Sequence, residues 1–287
     1  MLAVFNKSVA KSPDGLTVAD QSQAVSALKD GFLANHFGSV HPGSVTINLG
    51  SSGVIAYSRE KQNPLLPSLN DLARWFSGSL GHLGRVICRG SVVRLSRLGP
   101  LFLRLFAVVD EIFCMFQGHI ENVAVLKQQY GLNKTADEGI IVIEAYRTLR
   151  DRGPYPPDQV VRDIQGKFIF ILFDSSSKST FIASDADGTV PFFWGTDVDG
   201  HLVLADDEET VKKGCGKSSA PFPKGCFFTS SGGLRSFEHP QNELKAVPRV
   251  DGSGQACGAT YCVDTETKKE STGMKKVDSA ANWSTNY

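Results

Sequence analysis

No Cys-x-x-Cys pair occurs in this sequence, and its six cysteines (Cys88, Cys114, Cys215, Cys226, Cys257 and Cys262) are too sparse for a disulfide scaffold. A zinc site made from cysteine alone is therefore not expected. Neither sign of charge is in surplus: 30 basic and 30 acidic residues leave a formal net charge of zero. That balance argues against nucleic acid as a partner, because nucleic-acid binders carry a basic surplus. No stretch approaches the roughly 20 apolar residues of a membrane helix. The start, Met1 to Lys7, has neither a basic leader nor a long apolar run, so it does not read as a secretory signal. A reducing, cytoplasmic setting follows as the expectation, with the nucleus as a second compartment. The sequons at Asn6, Asn133 and Asn282 are then expected to stay unglycosylated.

What is present is enough apolar material for a substantial core: 41% of 287 residues are hydrophobic. Ser44 to Leu49 alternates, Gly50 to Gly53 turns, and Val54 to Tyr57 runs back, which predicts a hairpin. Lys167 to Phe173 reads as a buried strand, Asp174 to Ser179 as a polar turn, and Thr180 to Ser184 as the return strand. Pro191 to Trp194 and His201 to Leu204 are expected to continue that meander. A further hairpin pairs Cys226–Phe228 with Leu234–Phe237 around Gly232 and Gly233. Three helices are marked. Thr135-Ala136-Asp137-Glu138 fits a capping box, with Ile141, Ala145 and Leu149 following at helical spacing and Gly153-Pro154 ending the helix. Glu121 to Tyr130 is the second, closed by Gly131 in a left-handed cap. Asp206 caps a short third one running to Lys213. The mixture predicts an α+β fold with layered sheets.

Two segments stand apart. Residues 68–105 carry six arginines (Arg74, Arg85, Arg89, Arg94, Arg97, Arg104), one acid (Asp71) and no lysine. The stretch is rich in glycine, serine and leucine, without helical caps. The second is the polar tail over residues 263–287, which has too little apolar surface to order itself.

Certain blocks resemble a known family. Tyr130-Gly131-Leu132 and Leu149-Arg150-Asp151-Arg152 are similar to the two signatures of the plant aluminium-induced proteins with YGL and LRDR motifs, also known as stem-specific proteins. Asp110 to Cys114, Gly166-Lys167-Phe168, Ala205-Asp206-Asp207 and Ser279 to Trp283 support the resemblance. That family in turn resembles the class II glutamine amidotransferase domain of asparagine synthetase. Phe116-Gln117-Gly118-His119-Ile120-Glu121-Asn122 and Ser184 to Pro191 are the blocks that look like it. The implied fold is the N-terminal-nucleophile (Ntn) hydrolase-like αββα sandwich, two antiparallel sheets between helix layers. One domain over 1–67 and 106–262 is implied, because the family passes almost directly from Pro67 to Leu105. Residues 68–105 then read as translated intron, expected to be disordered, rather than as a functional loop.

The resemblance also lets the chemistry be checked position by position. The enzymes begin Met-Cys-Gly; the methionine is removed, the thiol attacks the amide, and the freed α-amine acts as base. This chain begins Met1-Leu2-Ala3. Leucine supplies no nucleophile, and its bulk is expected to prevent trimming of Met1. The asparagine that donates to the oxyanion is matched by Gln117, one methylene longer, and loss of such a donor costs about 100-fold or more. Gly118 is retained. For holding a ligand, the resemblance matches Asp137 to the aspartate that grips the α-amine of glutamine and Arg59 to the arginine that takes its α-carboxylate. An aspartate in the first turn of a helix is also favoured by the helix dipole alone, by about 0.3–1 kcal/mol, so both readings of Asp137 stand.

Other tempting features have plainer readings. Ser231-Gly232-Gly233-Leu234-Arg235-Ser236 nearly spells the pyrophosphatase loop of asparagine synthetase, but Arg235 stands where an acid belongs, and a hairpin turn is the better reading. Asp206-Asp207-Glu208-Glu209 either holds a hard cation or is a solvated helix start. His36 and His41 with Asp30 match no common metal spacing. Arg150-Asp151-Arg152 reads as an ion-pair network closing a helix end rather than a partner-binding patch. No metal and no cofactor are expected. The expectation is a non-catalytic glutaminase-like protein that acts by binding, as a homodimer with a protein partner still to be found, in plant stress or metal response. One rival is an active amidohydrolase using Cys114 (with His119 as base) or Cys226; another is a sensor binding an amino acid through Asp137.

Overall fold

The structure is a computed structural model, and it describes residues 1–17, 24–58, 86–88, 91–92, 106–152, 156–250, 252, 254 and 256–268. The apolar run at the start forms β1 (Leu2–Phe5), buried at every position. β2 (Val45–Asn48) and β3 (Gly53–Tyr57) make the hairpin expected from the sequence, with Ile47 opposite Ile55. Gly53 has φ +141°, and a Cβ there would lie 2.0 Å from the carbonyl oxygen of Val4. Only glycine lets β3 close against β1 at that point. The short strands β4 (Val86–Cys88) and β5 (Ser91–Val92) add to the sheet outside β2. They are the described part of residues 68–105; the rest of that segment, and Arg59, lie outside the described residues.

β6 (Phe106–Val109), β7 (Ile112–Ile120), β8 (Gly166–Asp174) and β9 (Ser179–Ser184) follow in a second sheet. β10 (Phe193–Thr196) and β11 (Leu202–Ala205) form a hairpin, but they do not extend the meander of β8 and β9 as expected. They return to the first sheet, where β11 pairs with β1, Leu204 opposite Ala3. β12 (Ala220–Pro221) lies at that sheet's edge, while β13 (Cys226–Thr229) and β14 (Gly233–Ser236) are the predicted hairpin and complete the second. A separate ribbon pairs β15 (Asn242–Val250) with β16 (Ala256–Lys268). β16 thus runs past Cys262, where the domain was expected to end, and residues 269–287 are outside the described set. The orders are β12-β10-β11-β1-β3-β2-β4-β5 and β14-β13-β9-β8-β7-β6, with every pair antiparallel.

Helices cover the outer faces. α1 (Phe32–Val40) and α5 (Glu208–Cys215) pack on the first sheet, burying Leu33, Phe37, Val211 and Cys215 against Leu2, Val4, Ala56 and Val203. α2 (Val123–Gln129), α3 (Glu138–Arg150) and α4 (Pro157–Asp163) cover the second, where Ile141, Ala145, Leu149 and Val160 meet Cys114, Phe116 and Phe170. Between the sheets lies the largest core, with Phe5, Tyr57, Phe106, Phe113, Phe173 and Trp194. The layers run helix, sheet, sheet, helix, as the resemblance implied. β8 is buried on both faces, which is why Lys167 to Phe173 reads as a continuous apolar run instead of an alternating one.

Helix starts differ from expectation by a residue or two. Asp137, not Thr135, caps α3, accepting from the Ile140 amide at 2.8 Å; the Thr135 hydroxyl bonds Asn133 instead. Asp207, not Asp206, caps α5, accepting from the amide and hydroxyl of Thr210. Gly131 has φ +66° and closes α2 as predicted. Gly153 and Pro154 lie outside the described residues.

Candidate functional site

β1 places Leu2 between Ala205 and Ala56. Its side chain is fully buried and belongs to the layer under α1 and α5, on the face of the sheet turned away from the inter-sheet core. Strand alternation puts Met1, Ala3 and Phe5 on the other face, inside that core. The Met1 ammonium donates to Asp206 Oδ1 at 2.6 Å, with both side chains nearly fully buried, and the Asp206 amide donates back to the Met1 carbonyl. The acidic run over 206–209 is thereby accounted for: Asp206 holds the ammonium, Asp207 caps a helix, and Glu208 and Glu209 face Lys212.

β7 carries the second pair of positions. Gln117 is half-buried opposite Ile169 and, by alternation with Met115, shares the face that looks toward the first sheet. Gly118 has φ +119°, and a Cβ would fall 2.1 Å from the Lys167 carbonyl oxygen. Close approach of β8 therefore requires glycine there, whatever else it does. His119 is exposed and lies 3.7 Å from Glu138 in the first turn of α3.

Asp137 sits on the helix side of the same sheet. Burial is the main effect on its carboxyl, pushing it up to about 6. Its charge also acts on Cys114 beneath, whose thiol is raised well above normal, first by burial and then by Asp137. Among the described residues no hydrogen bond or ion pair joins Asp137 to Gln117, Gly118 or Leu2. The four positions share one end of the fold's chemistry only by alignment. Leu2 faces helices, Gln117 faces the inter-sheet core, and Asp137 caps a helix on the other side.

The two signature motifs are structural. Tyr130-Gly131-Leu132 closes α2, the Leu132 amide donating to the Lys127 carbonyl at 2.8 Å. In the other, Leu149 is in the core, and Arg150 donates to Asp174 Oδ2 at 2.7 Å and to Asp151 at 2.8 Å. Asp174 is fully buried and also accepts from the Tyr146 hydroxyl at 3.0 Å and the Ser176 amide. Burial pushes this carboxyl up, but the bonds from Ser176, Arg150 and Ser177 outweigh it and hold it down at about 2. Arg152 is exposed. The expected ion-pair network at this helix end is present.

One group that the sequence reading passed over brings ligand-type atoms together: Asp197, Asp199 and His201, within 4.8 Å of one another. The Asp197 carboxylate is already committed, accepting from the amides of Ala27, Asp199 and His201 and facing His201 Nδ1 at 3.0 Å. It anchors the segment before α1 to the β10–β11 turn. Asp185, just after β9, is committed in a similar way, accepting from the Phe168 amide and from the amide and hydroxyl of Thr189.

A family profile described as "Aluminium induced protein" matches residues 2–88 and 75–263. The chain belongs to that family. Both matched segments run into residues 68–105. The stem-specific protein TSJT1 of Nicotiana tabacum is 33% identical over 184 residues, 64% of this chain and 99% of that one. The glutamine-hydrolysing asparagine synthetase B of Escherichia coli is 29% identical over 126 residues, 42% of this chain but only 21% of the enzyme. Among solved structures, the glutamine phosphoribosylpyrophosphate amidotransferase of B. subtilis aligns with 82% of this chain and 48% of its own, at 11% identity and a TM-score of 0.45. Among the described residues no helix is long and apolar enough to cross a membrane.

Proposed function

We propose that this member of the aluminium-induced family is a non-catalytic, glutaminase-like protein that works by binding. The observation that carries the reading is Leu2, which stands where the resembling enzymes place their nucleophile and whose side chain is packed under α1 and α5. Gln117 in place of the oxyanion asparagine supports it. So do three of the described thiols: Cys114, Cys215 and Cys226 are buried, and burial raises all three, Cys226 to about 12. Nucleophilic cysteines need the opposite environment, which weighs against an amidohydrolase built on Cys114 or Cys226. His119, the base such an enzyme would borrow, points to solvent beside Glu138. The family description and the tobacco relative suggest a place in plant stress or metal response, in the cytoplasm or nucleus, and a homodimer is the form we favour.

Glutamate release from glutamine, by the protein without an N-terminal tag and by Leu2→Cys beside it, tests the reading. A silent parent is expected; turnover by the parent overturns it. A second reading, an amino-acid sensor acting through Asp137, draws on that carboxyl's partly buried place beside β7. Calorimetry with glutamine, glutamate and asparagine, on the parent and on Asp137→Asn, tests that second reading; no heat with any of them removes it.

A further inference from the structure

At the edge of the second sheet remote from β7, three distant parts of the chain border an open cavity of about 430 Å³. Residues 11–14 form one side, the β13–β14 turn another, and the β15–β16 ribbon the floor. The arrangement is a built one. The Tyr261 hydroxyl donates to the Asp14 carbonyl oxygen at 3.1 Å, tying ribbon to loop. Gly15, at φ +85°, lets the loop sit so close to β15 that a Cβ would lie 2.7 Å from that of Ala246. Across the cavity, the Ser230 amide donates to the Thr180 carbonyl and the Thr180 amide donates to the Ser230 hydroxyl, while the Gly232 amide donates to Thr229 Oγ1, fixing the turn.

The lining divides by chemistry. Leu234, Leu244 and Tyr261 are partly buried and continue outward from the main core, giving an apolar floor with one aromatic ring. Lys11 and Asp14 stand at the rim, both exposed, and neither forms an ion pair with any described residue, including the other. Behind this floor the Trp194 ring packs edgewise on Tyr261, so the aromatic part of the lining is backed by the inter-sheet core. The volume is in the range of small-molecule sites, which typically join an apolar lining to a few placed polar groups.

We propose that this cavity binds a free α-amino acid carrying an apolar or aromatic side chain. The carboxylate meets the Lys11 ammonium, the α-ammonium meets the Asp14 carboxylate, and the side chain covers Leu234, Leu244 and the Tyr261 ring. A simple anion or cation of the same size meets a like charge at the rim, and a neutral apolar molecule leaves both rim charges unused. The proposal does not rest on the reading of Leu2 or on Asp137.

Calorimetry on the full chain with L-phenylalanine and L-leucine is the test, beside N-acetylphenylalanine, which lacks the ammonium, and phenethylamine, which lacks the carboxylate. Binding of the two amino acids is expected, with each analogue weaker by about two- to fivefold, the loss that one solvent-exposed ion pair carries. Lys11→Met and Asp14→Asn each reproduce that loss. Unchanged melting temperatures show that the variants fold. Asp137→Asn retains binding, which separates this cavity from the α3 site. No heat with either amino acid, equal binding of the analogues, or indifference to both rim variants overturns the proposal.

Discussion

Arg150, in the last turn of α3, donates to Asp174 Oδ2 at 2.7 Å at the point where β8 ends, so the helix layer and the second sheet are pinned at one corner. The Tyr146 hydroxyl reaches the same oxygen at 3.0 Å, and the Arg150 guanidinium lies 5.5 Å above the Tyr146 ring. The stretch Leu149 to Arg152 is thus a fastening.

Removing the arginine strands a fully buried carboxylate. Breaking a buried pair costs about 3–5 kcal/mol, and the partial exposure of Arg150 lowers that figure, so Arg150→Ala is expected to destabilise by about 2 kcal/mol. Arg150→Lys keeps the charge but not the two-pronged geometry and should fall between. Urea unfolding measures both; an unchanged midpoint for the alanine variant would contradict the pinning role.

Asp174 and Asp137 should oppose one another in acid. Asp174, held at about 2, is more acidic folded than unfolded, where aspartate titrates near 3.9. Its contribution is present above roughly pH 4 and lost as the pH falls toward 2. Asp137, pushed up to about 6, binds its proton more tightly in the folded state. Its contribution is present below roughly pH 4 and lost as the pH rises through 6. Unfolding free energies at half-unit steps from pH 3 to 7 should therefore show a decline between 4 and 6 that Asp137→Asn removes. Persistence of that decline in the variant would assign it elsewhere.

The two candidate caps of α3 can be separated by mutation. Asp137→Ala should cost about 1 kcal/mol, the usual value of an N-cap, while Thr135→Ala, which touches only Asn133, should fall within about 0.5 kcal/mol of the parent. Equal effects would restore Thr135 to the cap.

Thiol labelling at neutral pH should divide the described cysteines by burial. Cys257 and Cys262 are accessible and should be alkylated first; Cys114, Cys215 and Cys226 should react only on unfolding. Peptide mass spectrometry reads the order directly. Rapid labelling of Cys114 or Cys226 in the folded protein would revive the hydrolase rival.

Residues 68–105 make the last case. Their described part, β4 and β5, is outermost in the first sheet, and β2, β3 and β1 pair without it. A chain lacking residues 68–104 is expected to fold with a melting temperature at or above that of the parent. A chain that fails to fold would show the segment to be structural.

How legible each of these features was depended on whether its cause was local. The β8 run, the β2–β3 hairpin and the β13–β14 turn carry their signals in adjacent residues. Sheet membership does not: nothing in Phe193 or Leu204 says that they pair beside β1 and not beside β9. α1 was missed because it starts at Gly31 in a left-handed conformation with no capping side chain, and its approach is held from far away by Asp197 on the Ala27 amide. The β15–β16 ribbon was missed because Pro248 and its charged residues hide the alternation. At the candidate site the identity of Leu2 was plain, but its direction, toward the helices, depends on strand pairing. Asp206 was misassigned as a cap because its true partner is an ammonium 205 residues away.

β8 has one more consequence. Phe168, Phe170 and Leu172 belong to the core under α3, while Ile169, Ile171 and Phe173 belong to the core between the sheets. A single strand is therefore the common wall of two hydrophobic compartments, and neither can be wetted without exposing the other. Heating should then produce one calorimetric transition for the whole sandwich, with no intermediate in which one compartment has melted and the other survives.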